Sequence, residues 1–154
     1  MIDRVLVVCV GNICRSPMAE GLFRERLGRR PRFQVSSAGI SALHGDPADS
    51  LAQQLLRERG IDIGAHRARQ LTPALVSQVE LVLVMEQGHE RAVLAMVPQA
   101  RGKVHRLGKF GNFDVPDPYR QGRPAFEQSL RLIERGLDDY EKAFWPPFLR
   151  KVNA

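Results

Sequence analysis

The sequence predicts an α/β protein, a four-stranded parallel sheet flanked by helices on both faces. Three observations carry this prediction. The runs VLVVCV at Val5–Val10 and LVLVM at Leu81–Met85 are continuously apolar and rich in β-branched residues, as strands buried on both faces are. Stretches with apolar residues at helical spacing separate such runs. Strands that alternate with helices along one chain form a parallel sheet wrapped by its own crossovers.

Each element can be justified in order. Val5–Val10 is the first strand, ended by Gly11-Asn12. Ser16-Pro17 offers an N-cap and a first-turn proline, Glu20 falls in the first turn, and Met18, Leu22, Phe23 and Leu27 line one face of a helix running to about Gly28. Phe33–Ser37 is a second strand. Asp46-Pro47 opens the next helix, with Leu51, Leu55 and Leu56 inward and Gly60 as its C-terminal stop. Thr72-Pro73 caps a short helix, Leu81–Met85 is the third strand, and Glu90–Val97 is a helix stopped by Pro98. Val104–Leu107 is a short fourth strand. The segment from Gly108 to Arg123, rich in Gly and Pro, is a long loop. A final helix runs from about Pro124 to Trp145, with Phe126, Leu130, Ile133, Leu137, Tyr140 and Phe144 stepping by three and four, and Pro146-Pro147 ends it. No repeat or linker interrupts the series. Residues 1–154 therefore read as a single domain of flavodoxin-like kind, in which ligands bind outside the carboxyl ends of the strands.

Composition narrows the function. With 154 residues, 44% hydrophobic and 26% charged, the chain can bury a core and is neither fibrous nor disordered. No apolar run approaches the roughly 20 residues of a membrane helix, and no signal-peptide pattern is present, so no membrane insertion and a cytoplasmic location are expected. The net charge of +6 permits anionic partners. The basic residues form no long block, and aromatics are only 6%, so nucleic acid is not expected as a partner. Two cysteines make no disulfide scaffold. Cys9 and Cys14 lack a second Cys/His pair at ligand spacing, and His44, His66, His89 and His105 are scattered, so no metal and no cofactor are expected.

The informative segment is Cys9-Val10-Gly11-Asn12-Ile13-Cys14-Arg15-Ser16, between the first strand and the first helix. A tight loop entering a helix gathers backbone N–H groups into a concavity suited to a phosphate dianion. Gly11 and Asn12 tolerate the left-handed backbone that such a loop needs. Arg15 can grip two phosphate oxygens with its planar fork. A thiol at Cys9, at the base of that field, is stabilised as thiolate, and a thiolate facing phosphorus is a nucleophile. Cys14 reads either as a small filler under the loop or as a thiol near enough to close a disulfide on Cys9. Asp114 and Asp117 lie in the long loop at the same sheet edge. Asp117 is the better candidate for a general acid, because Pro118 holds the residue before it extended and a nearby phosphate favours the protonated carboxyl.

These residues make the chain resemble the low-molecular-weight protein tyrosine phosphatases. The likeness rests on Cys9 to Pro17 and Asp117-Pro118-Tyr119, with Ser36-Ser37-Ala38-Gly39, His66-Arg67-Ala68-Arg69-Gln70 and Met85-Glu86 in support. The resemblance implies hydrolysis of protein phosphotyrosine through a cysteinyl-phosphate, with Cys9 as nucleophile, Arg15 as phosphate clamp and Asp117 as acid and then base. It implies that Ser16 stabilises the Cys9 thiolate and that Asn12, Ser37 and His66 hold the loop in shape. Tyr119 should form one wall of a phenyl slot, and Leu43 stands where many relatives carry an aromatic residue on the other. Spacing and loops are most similar to the bacterial branch, whose substrates are tyrosine autokinases of capsule or exopolysaccharide export. That makes a phosphotyrosine protein the implied partner; the sequence does not define an oligomeric state.

Three alternatives are weaker. An arsenate reductase on this scaffold relays oxidation through further downstream cysteines, and none follows Cys14. Protein-arginine phosphatases of this kind carry Thr where Ile13 stands, and an apolar Ile13 suits a phenyl ring. A non-catalytic phosphate- or nucleic-acid-binding module has no need of Cys9 together with Asp117.

Overall fold

The structure is a computed structural model and describes residues 2–146. Four strands, β1 (Arg4–Cys9), β2 (Gln34–Gly39), β3 (Leu81–Val84) and β4 (Val104–Arg106), alternate with five helices, α1 (Arg15–Leu27), α2 (Ser50–Arg57), α3 (Pro73–Ser77), α4 (Gln87–Met96) and α5 (Arg123–Phe144). All three strand pairings are parallel, in the order β2-β1-β3-β4. The alternation of side chains along β1 sorts the core into two layers. Val5, Val7 and Cys9 join Phe23, Leu55, Leu56, Phe126, Ile133 and Leu137 beneath α1, α2 and α5. Leu6 and Val8 join Val76 and Val93 beneath α3 and α4 on the other face.

Several boundaries differ from the sequence reading, and each has a physical cause. The first ladder ends at the pair Cys9–Gly39, so Val10 lies past β1 and is exposed. Ser16 does not cap α1. The helix starts at Arg15 without a side-chain cap, and Glu20 falls in its second turn, because the Ser16 hydroxyl is engaged by Cys9 and Asn12. β2 runs Gln34–Gly39, leaving Phe33 as a buried wedge edge-on to Trp145 at 5.5 Å. Asp49, not Asp46, caps α2, its carboxylate accepting from Leu51 N at 2.9 Å. The α2 exit matches its glycine: Gly60 has φ +76°, and Gly60 N and Ile61 N donate back to Arg57 O and Leu56 O. α4 starts at Gln87, three residues earlier than expected, with Glu86 as its N-cap. β3 and β4 each stop one residue short, before Met85 and Leu107, although both residues are buried. Phe144, expected inward, is 41% exposed, while Trp145 turns in and donates Nε1–H to Ile2 O at 2.9 Å. α5 ends before the prolines; Pro147 lies outside the described residues.

α5 comes close to the chain leaving β4 at Gly136, where a Cβ would stand 2.7 Å from both Leu107 O and Leu107 Cγ. Gly136→Ala should gain helix propensity of about 1 kcal/mol but lose more to overpacking, which typically costs about 1–3 kcal/mol. The expected result in urea is a midpoint lowered by an amount corresponding to about 1 kcal/mol with an unchanged slope. A variant as stable as the parent would show that α5 has room to move.

Candidate active site

The strand order places β1 and β3 side by side while their outgoing connections diverge, which opens a crevice at the carboxyl end of β1. The chain from Cys9 to Cys14 crosses this crevice, and its carbonyls are all turned to partners outside. Cys9 O accepts from Ile40 N (2.9 Å), Val10 O from Ser41 N (2.9 Å), Gly11 O from Leu43 N (3.0 Å), Ile13 O from Asp49 N (2.8 Å) and Cys14 O from Met18 N (3.2 Å). Asn12 O accepts from His66 Nε2 at 2.7 Å. No backbone carbonyl among the described residues takes the N–H groups of Gly11 to Arg15. Those donors remain for an anion at the head of α1.

Asn12 ties the loop together. It is fully buried at φ +59°, whereas Gly11, expected to share the left-handed backbone, has no positive φ. Asn12 Oδ1 accepts from Arg69 N at 2.9 Å, which orients the amide so that Nδ2 donates to Ser16 Oγ (2.8 Å) and Ser37 Oγ (3.0 Å). The Ser37 hydroxyl donates in turn to Glu20 Oε1 at 2.5 Å. Ser16 Oγ, already an acceptor, has its proton free for Cys9 Sγ at 2.9 Å. Beneath the loop, Gly39 admits no side chain: a Cβ would sit 2.5 Å from Val10 O and 3.0 Å from Asn12 N.

Arg15 is 1% exposed. Its Nη1 donates to Glu86 Oε2 at 2.5 Å and Val115 O at 2.8 Å. Its Nε is buried with no partner, a costly state that an anion in the loop would relieve. Glu86 is held in turn by His89, whose Nδ1 accepts from Glu86 N (3.2 Å) and whose Nε2 lies 3.3 Å from Glu86 Oε2. Burial, with the nearby Arg15 cation, lowers the His89 pKa below the usual imidazole value, so the ring is neutral at pH 7 and can accept at Nδ1.

A cleft of about 190 Å³ opens above, lined by Cys9, Ile13, Arg15, Leu43, Asp117 and Tyr119. Val10, Gly11 and Cys14 line it as well. Asp117 Oδ1 accepts from Tyr119 N at 3.0 Å, and Oδ2 stands 3.8 Å from Arg15 Nη2. Asp114, the rival carboxylate, is tied elsewhere, to Arg106 Nη1 (3.0 Å) and Gln87 N (3.2 Å). Cys14 is a free thiol, and burial, reinforced by Asp49, pushes its pKa well above the ordinary range. Ser37 and His66 support the loop from outside the cleft. Sequence reasoning assigned no role to Glu86, His89, Glu20, Arg69 or Gly39. Glu86 carried a usable signal, since it stands at the same carboxyl edge of the sheet as the loop. Among the described residues no group of three or more His, Cys, Asp or Glu side chains is arranged to hold a metal ion, and no helix is long and apolar enough to cross a membrane.

The chain is similar to known proteins over most of its length. The profile of the family described as low molecular weight phosphotyrosine protein phosphatase matches residues 4–144. A probable low molecular weight protein-tyrosine-phosphatase, EpsP of Ralstonia nicotianae, is 47% identical over 153 residues, 99% of this chain and 100% of that protein. The structure of Vibrio vulnificus Wzb in complex with benzylphosphonate superposes with a TM-score of 0.87 at 43% identity, covering 93% of this chain and 99% of the other. The YwlE arginine phosphatase from Geobacillus stearothermophilus is further off, with a TM-score of 0.77 at 32% identity over 92% of this chain and 94% of the other.

The Asn12 geometry predicts an unequal pair of variants. Asn12→Gly loses the three side-chain hydrogen bonds but keeps the left-handed backbone at ease. Asn12→Ala loses both, at an extra cost of about 1 kcal/mol. Urea unfolding should rank parent, Gly and then Ala in falling stability; equal stabilities of the two variants would remove the backbone from the explanation.

Proposed function

The chain belongs to the low molecular weight phosphotyrosine protein phosphatases, a family of hydrolases, and from that membership we propose that it removes phosphate from protein tyrosines through a cysteinyl-phosphate on Cys9. The observation that carries this reading is the single cleft lined by Cys9, Arg15 and Asp117, with Tyr119 on its wall.

In the first step the Cys9 thiolate attacks phosphorus in line with the ester oxygen. The S–P bond forms, the P–O bond to the phenol breaks, and Asp117 gives its proton to the departing phenolate. In the second step Asp117 takes a proton from water, the water oxygen bonds to phosphorus, and the S–P bond breaks to return the thiolate. The sum is phosphotyrosine plus water giving tyrosine plus inorganic phosphate. The N–H groups of the loop from Val10 to Ser16 and the free Nε of Arg15 bind the equatorial oxygens, whose charge they offset in both transition states. The Ser16 hydroxyl, 2.9 Å from Cys9 Sγ, stabilises the thiolate when it attacks and again when it leaves. Asn12, Ser37 and His66 keep the loop in this shape without touching substrate.

Ile13, Leu43 and Tyr119 form an apolar slot that accepts a phenyl ring and brings its phosphate to Cys9. Phosphoserine is too short to reach the base. A phosphoarginine would leave its polar guanidine against Ile13, which favours the aryl substrate. The substrate we propose is a tyrosine autokinase of capsule or exopolysaccharide export, acted on in the cytoplasm by residues 1–154 working as one domain. The 47% identity with EpsP supports this finer reading.

Two variants test the chemistry. Cys9→Ser should abolish turnover yet still bind vanadate, because the backbone donors stay; near-normal rates would contradict a covalent intermediate. Asp117→Asn cannot supply a proton, so hydrolysis of a phosphotyrosine peptide should slow by roughly 10²–10⁴-fold. The loss should be much smaller on p-nitrophenyl phosphate, whose phenolate is already stable. Equal losses on both substrates would reduce Asp117 to a loop anchor. Turnover of phosphotyrosine, phosphoserine and phosphoarginine peptides side by side tests the substrate class, and only the first should be an efficient substrate.

A further inference from the structure

Tyr119 carries a cation on its ring. The Arg120 guanidinium lies 5.0 Å from the ring centroid. Arg120 is exposed and has no carboxylate in ion-pair contact among the described residues. Other arginines of this region are neutralised: Arg123 by both oxygens of Glu58 at 2.9 and 2.7 Å, and Arg106 by Asp114 at 3.0 Å. The nearest acid on the same turn, Asp117, directs one oxygen to Tyr119 N and the other toward Arg15. The turn holds Arg120 in place: Gln121 N donates to Pro118 O at 2.9 Å, and Arg120 itself has φ +61°. Glycine or asparagine adopts that backbone without strain, whereas arginine does not. The Arg120 side chain stacks on the Tyr119 ring, which lines the cleft, and its charge has no ion-pair partner among the described residues. On the opposite wall His44, next to Leu43, is exposed.

We propose that Arg120 is a specificity residue that selects phosphotyrosines with an anionic neighbour, a carboxylate or a second phosphotyrosine within about three residues, by binding that second anion at the mouth of the slot. The proposal rests on the phosphotyrosine reading above. A ring held between Tyr119 and Leu43 leaves its peptide backbone at the rim, and successive residues advance by only about 3.3–3.6 Å. A near neighbour is therefore within reach of a guanidinium already positioned by its stack, which lowers the entropy lost on binding.

The test compares two peptides, one with glutamates flanking the phosphotyrosine and one with neutral residues there. The readout is the ratio of their kcat/KM values within each protein, so that any general loss of activity cancels. For the natural chain the acidic peptide should be favoured about threefold to fivefold, the range of an exposed, well-oriented ion pair. The ratio should decline toward 1 as salt rises from about 0.02 to 0.5 M. Arg120→Asn fits the left-handed backbone without the charge and should bring the ratio to about 1. Arg120→Glu should take it below 1, and Arg120→Lys should restore part of it. Equal ratios in the natural chain and Arg120→Asn, with both peptides hydrolysed, would overturn the role of Arg120 alone. Failure to hydrolyse either peptide would overturn the phosphotyrosine reading and this proposal with it.

Discussion

Six successive carbonyls, from Cys9 to Cys14, are hydrogen-bonded away from the crevice, and the rest of the site depends on that constraint. A peptide chain cannot leave its buried carbonyls unpaired without cost, so outward partners force the N–H groups to remain for something else. Five of the partners come from distant stretches of sequence, the segment after β2, the cap of α2 and the His66 turn, and the sixth, Met18 N, from α1 itself. Asn12 joins them, because its amide touches Arg69, Ser37 and Ser16 at once. The loop is therefore formed by the fold before any ligand arrives. An anion that enters finds donors already oriented, which is the condition for strong electrostatic stabilisation of a transition state.

Arg15 extends the same logic to charge. A guanidinium with 1% exposure has to be paired, and Glu86 and the Val115 carbonyl hold one end of it. The other end keeps an unpaired Nε. Glu86 is aimed by a neutral His89, so a chain of contacts runs from the start of α4 to the phosphate loop. In the proposed reaction this arrangement keeps the Arg15 guanidinium at the loop, with Asp117 Oδ2 3.8 Å from its Nη2.

Much of the fold was legible because its signals are local. Val5–Cys9 and Leu81–Val84 are buried on both faces, and only such strands are continuously apolar. Thr72-Pro73 and Gly60 act where their backbone chemistry says they should. Two of the failures come from polar side chains recruited by partners that the local pattern does not reveal. Ser16 looks like an N-cap in sequence, but its hydroxyl is taken by Cys9 and Asn12. The start of α4 was invisible because Glu86 and His89 cap it reciprocally, in a pairing outside the usual Ser/Thr pattern. In the site, Cys9, Arg15 and Asp117 were found because their chemistry is unusual in that order. Glu86, Arg69 and Gly39 were noted only within motifs and Glu20 only as a helix residue; their roles were not legible, because each acts by touching a residue far away in the chain.

The account stands on one bond, between phosphorus and the sulfur of Cys9. Mixing the protein with a phosphotyrosine peptide, quenching in acid during the first turnover, and mapping the phosphoryl group by mass spectrometry of the digested chain tests it most directly. The phosphoryl group should be found on Cys9, approaching one per chain when Asp117→Asn slows its release and p-nitrophenyl phosphate, whose leaving group needs no acid, supplies it. Its absence from Cys9 while phosphate is being released, or its recovery on another residue such as Cys14, would contradict the account.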